Sequence, residues 1–280
     1  MSPQPTRQRG TLARPDCSSY YEITGPTSGN TPVIIFAHGL GGNHLSWFQQ
    51  VAYFAPTHTC ITFAHRGFNP STMPPAGPDP AAYADDLAAL VAHLNLGDHR
   101  IVAQSMGGWT TVEYALRKPP GLKAAVLAAT IGTIDPQKIP AQFLPALADW
   151  QAQSTPALEG FMRDGIHPAG GARMAAEQPA MHLLYKHIDD QNAALDKQAL
   201  RLKLMHSRHR APAELATTGI PILLLANDED MVIPPPAMEG TAASNPNTTF
   251  ARIARAGHSG YFERPAEFNA AVEAFFKAHK

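Results

Sequence analysis

Apolar and polar positions along the chain fall into two alternating patterns. Continuous apolar runs at residues 33–37, 59–64, 122–129 and 220–226 have the length of buried strands, and 100–104 and 250–253 add two more. Between them, apolar residues recur at intervals of three and four. Tyr83, Leu87, Leu90, Val91 and Leu94 form one such stripe, and Val272, Phe275 and Phe276 form another within 268–276. Helical segments are also predicted around Trp47, Phe48 and Val51 and over 110–116. Tyr20, Tyr21 and Ile23 predict an early strand, whereas residues 1–16, rich in Pro, Arg and Thr, predict a loosely ordered lead. Residues 25–32 and 69–80 carry the Gly and Pro of turns and loops. Short buried strands alternating with helices predict an α/β fold, a mostly parallel sheet with helices on both faces.

The rhythm breaks after Thr130. Over 135–212 no buried strand is evident, and Phe143, Leu144 and Leu147, then Leu183 and Leu184, then 195–205 mark helices. The organisation expected is a core in two parts, 20–132 and 215–280, with a helical cap inserted at 133–214.

Composition narrows the function classes. The chain has 280 residues, 44% of them apolar and 16% charged, with 22 Lys+Arg against 23 Asp+Glu. Such a chain has enough apolar surface to fold and too little net charge for disorder. A net charge of -1 argues against a nucleic-acid or anionic-membrane surface as its main business. Cys17 and Cys60 stand far apart, so two free thiols are expected and CxxC chemistry has no support. The opening residues hold no apolar stretch of leader type and no run reaches the length of a membrane span, so a cytoplasmic protein is expected.

The sharpest chemical signal is Gln104-Ser105-Met106-Gly107-Gly108, which follows an apolar strand and precedes a helix. A nucleophile elbow needs small residues around its serine, and Ala103 takes the place of the first glycine of G-x-S-x-G. The competing reading is an ordinary helix start with Ser105 as its N-cap. A serine hydroxyl is weak until a base takes its proton. His258, in the glycine-rich loop Ala256-Gly257-His258-Ser259-Gly260, is the natural base. A third group must orient the imidazole, and Asp228, Glu229 and Asp230 all lie just beyond the strand at 220–226. Spacing alone leaves the three open.

The order Ser, acid, His on alternating strands and helices resembles the α/β-hydrolase fold family, in its small cap-bearing branch of esterases, lactonases and carbon–carbon bond hydrolases. The resemblance covers about residues 20–280. His38-Gly39-Leu40-Gly41-Gly42 is similar to the family's HG-x-G-G loop, and Gly257-His258 with Glu263-Arg264-Pro265 to its closing motif. Asn227-Asp228-Glu229-Asp230 with Pro234 resembles the G-x-x-D-x-x-x-P loop, which selects Asp230 and puts Asn227 at the usual glycine. His65-Arg66-Gly67 resembles the D-x-R-G loop, with Ala64 at the Asp and Arg66 expected as a structural hydrogen-bonder.

The resemblance implies an eight-stranded sheet, catalytic Ser105, Asp230 and His258, and an oxyanion hole from the main-chain N–H groups of Leu40 and Met106. It implies no cofactor. His38, His44, His65 and the cap histidines have no H-E-x-x-H pattern, so no metal is expected. Trp47, Trp109, Phe143, Leu144 and Tyr185 are pocket candidates, each equally readable as core. Arg201, Lys203, Arg208 and Arg210 are each readable as carboxylate binders or as solvent-facing groups. The activity expected is hydrolysis of a carboxylic ester or lactone of a small, moderately apolar substrate. Carbon–carbon cleavage of a vinylogous diketone and non-enzymatic ligand binding are the alternatives. The partner expected is a small molecule, with a homodimer allowed and no nucleic acid or membrane.

Overall fold

A computed structural model describes residues 5–27 and 31–279; part of the predicted turn at 25–32 lies outside them. One eight-stranded sheet organises the chain: β1 (Arg7–Ala13), β2 (Ser18–Thr24), β3 (Val33–Ala37), β4 (Thr59–Phe63), β5 (His99–Gln104), β6 (Leu122–Ala128), β7 (Ile222–Asn227) and β8 (Thr248–Ile253). Their spatial order is β1-β2-β4-β3-β5-β6-β7-β8. β1 and β2 are antiparallel to each other, β2 runs antiparallel to β4, and every later pairing is parallel.

The strand residues alternate between two cores. Ile35, Ile61, Ile101, Leu127 and Leu224 face one side and pack with helices α2 (Tyr83–His93), α3 (Gly107–Leu116) and α8 (Pro235–Ala243). Ile34, Phe36, Val102, Val126 and Leu223 face the other and pack with α1 (Phe48–Phe54) and α10 (Pro265–Ala278). Helices on both faces explain why the central strands read as continuous apolar runs rather than as alternating ones. The short α9 (Gly260–Glu263) precedes α10.

Between β6 and β7 the chain leaves the sheet and forms a helical cap of α4 (Leu144–Arg163), α5 (Gly171–Glu177), α6 (Pro179–Asp190) and α7 (Lys197–His206). Leu195, Leu200 and Leu204 bring it onto Tyr83, Met106 and Trp109 of the core. Asn192 ties the two further: its Nδ2 donates to the Gly42 carbonyl at 3.1 Å and its Oδ1 accepts from the Asn69 N–H at 3.0 Å. Among the described residues no helix is long and apolar enough to cross a membrane.

One expectation is overturned. Residues 7–13, expected to be loose, form edge strand β1, paired with β2 from Arg7↔Thr24 to Ala13↔Ser18. Most of its side chains are exposed, so it carries little apolar signal. It is held by the main-chain ladder and by Arg7, whose guanidinium forks onto Glu22 at 2.6 and 2.8 Å.

The chain runs outward from β3 to β4 and then crosses back to β5. The carboxyl ends of β3 and β5 therefore lie side by side, with Ala37 opposite Ala103, where connections diverge and a crevice opens.

Candidate active site

Ser105 is the first residue beyond β5, at the edge of that crevice. Its φ is +49°, in the left-handed region that non-glycine residues rarely occupy. The sharp turn projects the side chain away from the sheet while α3 begins at once, with the Gly108 N–H bonded to the Ser105 carbonyl at 2.9 Å. The two glycines after Met106 permit this approach. A Cβ on Gly107 would collide with the Ala37 carbonyl, and one on Gly108 with the Thr130 side chain.

The three acidic candidates go to three different places. Asp228 faces Arg252 at 3.3 Å on the exposed side of the loop. Glu229 takes a forked contact from Arg173 of α5 at 2.6–3.0 Å. Asp230 is buried: its Oδ1 accepts the N–H groups of Val232 and Ile233 at 2.7 and 2.9 Å, and its Oδ2 lies 2.9 Å from His258 Nδ1. With a carboxylate as partner, Nδ1 carries the hydrogen and Nε2 keeps its lone pair. Trp150 of α4 donates its indole N–H to the Asp230 carbonyl at 2.7 Å, joining the cap to the acid loop.

The His258 loop is braced from the strands below it. Gln104 Nε2 and Asn227 Nδ2 both donate to the His258 carbonyl at 3.2 Å. Asn227, which stands where the resemblance has glycine, thus supports the histidine main chain. Glu263 Oε2 accepts the Gly257 N–H at 2.7 Å, and burial pushes the Glu263 carboxyl upward despite that bond. In the sequence Glu263 is marked only by its place in the closing motif.

Across the crevice runs the loop after β3. An ideal Cβ on Gly39 would sit 3.0 Å from Ser105 Cβ, so the main chain leading into Leu40 passes directly beside the serine. His38 is fully buried, with Nδ1 on the Gly39 carbonyl at 2.8 Å and Nε2 accepting the His65 N–H at 3.0 Å. Its ring is therefore neutral and protonated at Nδ1; burial pushes its pKa down to about 3. His65 in turn meets Thr110 Oγ1 of α3 at 2.8 Å and is held well below the usual imidazole range by burial and by His38. Arg66 lies outside the cavity lining and forks onto Asp86 at 2.6 and 2.8 Å, with Asp16 at 2.9 Å, as befits a brace.

Ser105 and His258 open onto one cavity of about 470 Å³ between the sheet and the cap, with Leu40, Met106, Trp109 and Tyr185 in its wall. No hydrogen bond joins Ser105 to His258 among the described residues; such contacts are often long without substrate and tighten when it binds. Trp47, expected as a pocket candidate, is instead core: it packs on Phe36 and Tyr261 at centroid distances of 5.2 and 4.5 Å and is shut off from solvent. Phe143 and Leu144 also lie outside the lining, because the start of α4 packs on the α8 side of the sheet, Phe143 beside Gly240. Val232 and Ile233, two and three residues after Asp230, also line the cavity, and that nearness is a usable signal in the sequence. No group of three His, Cys, Asp or Glu converges on a metal position among the described residues.

The chain belongs to the alpha/beta hydrolase fold family, whose model matches residues 32–265. It is similar to BpoC of Mycobacterium tuberculosis, provisionally named a non-heme bromoperoxidase, at 29% identity over 90% of this chain and 97% of that one. It is also similar to 3-oxoadipate enol-lactonase 2 of Acinetobacter baylyi, at 25% identity over 96% of this chain and 97% of that one. Among solved structures, a thermophilic esterase from Thermogutta terrifontis superposes with a TM-score of 0.73 at 22% identity, covering 98% of this chain and all of that one. At that identity the likeness speaks for the fold.

Proposed function

We propose that this member of the alpha/beta hydrolase fold family is a serine hydrolase that cleaves a carboxylic ester or lactone of a small, moderately apolar substrate through an acyl-enzyme. One observation carries the reading. A serine in a strained strand-to-helix turn and a histidine whose Nδ1 is bonded to a buried aspartate share one cavity. Similarity to an enol-lactonase supports this class of bond.

In the proposed cycle Ser105 Oγ attacks the acyl carbon and its proton passes to His258 Nε2. Asp230 holds the Nδ1 hydrogen and stabilises the imidazolium. The carbonyl oxygen becomes an oxyanion and receives the N–H groups of Leu40 and Met106. One such donor is worth about 2.7–4 kcal/mol in the transition state. The imidazolium then protonates the leaving oxygen as the ester C–O bond breaks, leaving acyl-Ser105. Water, deprotonated by His258, attacks the acyl carbon. The bond to Oγ breaks, and the serine recovers its proton.

The test is initial-rate hydrolysis of p-nitrophenyl acetate, butyrate and octanoate, with Ser105→Ala as control. Turnover lost in the variant is the expected result, together with one organophosphonate adduct on Ser105. Turnover that survives Ser105→Ala, or no turnover and no adduct, overturns the reading.

A further inference from the structure

Among the described residues, the cavity wall carries a half-buried cation whose side chain has no hydrogen bond or ion pair. Charged side chains that line it are Asp189, Lys197, Arg201 and Arg208. Asp189 is already engaged, by Lys197 at 2.7 Å and by His167 at 3.3 Å. Arg201 is exposed. Like Arg208 it has no side-chain hydrogen bond or ion pair among the described residues, and Arg208 differs in being half-buried. The Nε of Arg208 is shut off from solvent without a partner. Burial pushes its pKa down to about 10, and the charge of Asp135 only partly opposes that. Asp135 itself is occupied in capping Gln137 N at 2.9 Å. Arg208 is half-buried, and its enclosed Nε forgoes a bond to water without gaining one from the protein, which is costly to the folded state.

Its position is nonetheless fixed. The guanidinium lies over the Trp109 ring at 4.9 Å. Trp109 is itself pinned by its indole N–H to the Leu204 carbonyl and Ser207 Oγ at 3.1 and 2.8 Å. Cation–π contact with the ring face restrains where the guanidinium sits. The neighbouring cap cations do not share its situation: Arg210 is bonded to Glu113 and Glu214, and Lys203 to the Pro78 carbonyl.

We propose that Arg208 receives a carboxylate on the part of the substrate remote from the scissile bond, so that the preferred substrates are esters or lactones bearing a free carboxylate on an apolar body. The inference rests on the hydrolase reading of Ser105 and names the substrate class of that site. A guanidinium fork matches a carboxylate in a bidentate manner, and the bond is charge-assisted on both sides. An anionic end would also orient the acyl group along the cavity toward Ser105.

The experiment uses a matched pair, mono-4-nitrophenyl adipate and 4-nitrophenyl hexanoate, which differ in a terminal carboxylate against a methyl. Rates are corrected for spontaneous hydrolysis. The unsubstituted protein is expected to favour the adipate half-ester in kcat/KM. In Arg208→Gln the ratio of the two kcat/KM values falls by about tenfold or more, mainly through KM, and Arg208→Lys recovers part of it. Circular dichroism verifies that each variant is folded. A ratio that Arg208→Gln leaves unchanged, with both esters slowed alike, overturns the proposal. Binding of adipate to Ser105→Ala by calorimetry needs no turnover and separates the two readings. Adipate bound by Ser105→Ala and weakened about tenfold when Arg208→Gln is added supports the anion site even if no ester is hydrolysed. Equal binding with and without Arg208, or none, sinks it.

Discussion

Asp230 is set apart from Asp228 and Glu229 by what surrounds its two oxygens. One oxygen is saturated by two main-chain N–H groups, and the other faces His258. Asparagine would keep the shape. Its amide can donate to Nδ1, however, which would favour the tautomer with the hydrogen on Nε2 and remove the base. Asp230→Asn is therefore expected to lower kcat by about 10⁴ with the fold retained. Asp228→Asn, which only releases Arg252 at the surface, is expected to change it by less than about threefold. Steady-state kinetics on one p-nitrophenyl ester compares the two. Residue types and their order were legible in the sequence because each step of acyl transfer demands a specific functional group. The choice among three adjacent carboxylates depended on resemblance, since neighbouring loop positions differ in direction rather than in kind. The tryptophans divide for the same reason: Trp47 and Trp109 are alike as residues, and only packing sends one to the core and the other to the cavity.

At the scale of elements, the start of α3 is the most constrained junction. Its first residue, Gly107, lies against the main chain of central strand β3, which cannot yield as a flexible side chain would. Gly107→Ala is expected to destabilise the protein by about 1–3 kcal/mol through overpacking. It is also expected to lower kcat by about 10² by moving the Ser105 turn. Urea midpoints and kinetics on the same sample test both. The central strands were legible because both of their faces are buried. β1 was not, because an edge strand held by main-chain bonds and an arginine–glutamate pair needs no apolar pattern. The start of α4 was visible in Leu144 and Leu147, but its full length to Arg163 was not. Pro156 lies inside it and most of its surface is exposed. α8 opens with two prolines directly after the loop that holds Asp230 and carries no periodic stripe, so no local pattern marks it.

The whole molecule couples its stability to pH through buried imidazoles. His38 and His65 remain neutral in the folded state, held below their ordinary 6.5 mainly by burial, His38 at about 3. His58, His99 and His182 are displaced in the same direction. At His38 and His65 the unfolded chain takes up protons below 6.5 and the folded chain does not. The contribution of these two is therefore complete above 6.5 and is lost as pH falls toward the folded values, at up to about 1.4 kcal/mol per pH unit for each of the two. Glu22 and Glu113 are held low by their partners and add their own loss only below about 4.5. Between pH 6.5 and 5 the urea midpoint is expected to fall, and His38→Asn is expected to reduce the slope by about one proton's worth. An identical slope in the variant would show that His38 titrates normally in the folded protein.

By itself the sequence determined the alternation of strand and helix, the interruption by a helical segment, and the ordered set of serine, acid and histidine. These are encoded locally, in hydrophobic period, in small residues at a turn and in functional groups at strand ends. The tertiary structure decided what depends on distant parts of the chain meeting. Crossing back from β4 to β5 set Ser105 beside the Leu40 loop, and the acid loop delivered Asp230, rather than its neighbours, to His258. Folding the cap over the sheet set Arg208 over the Trp109 ring with no ion-pair partner among the described residues. Whether a cation is paired depends on the side chains that arrive around it from other elements, and no local pattern records that.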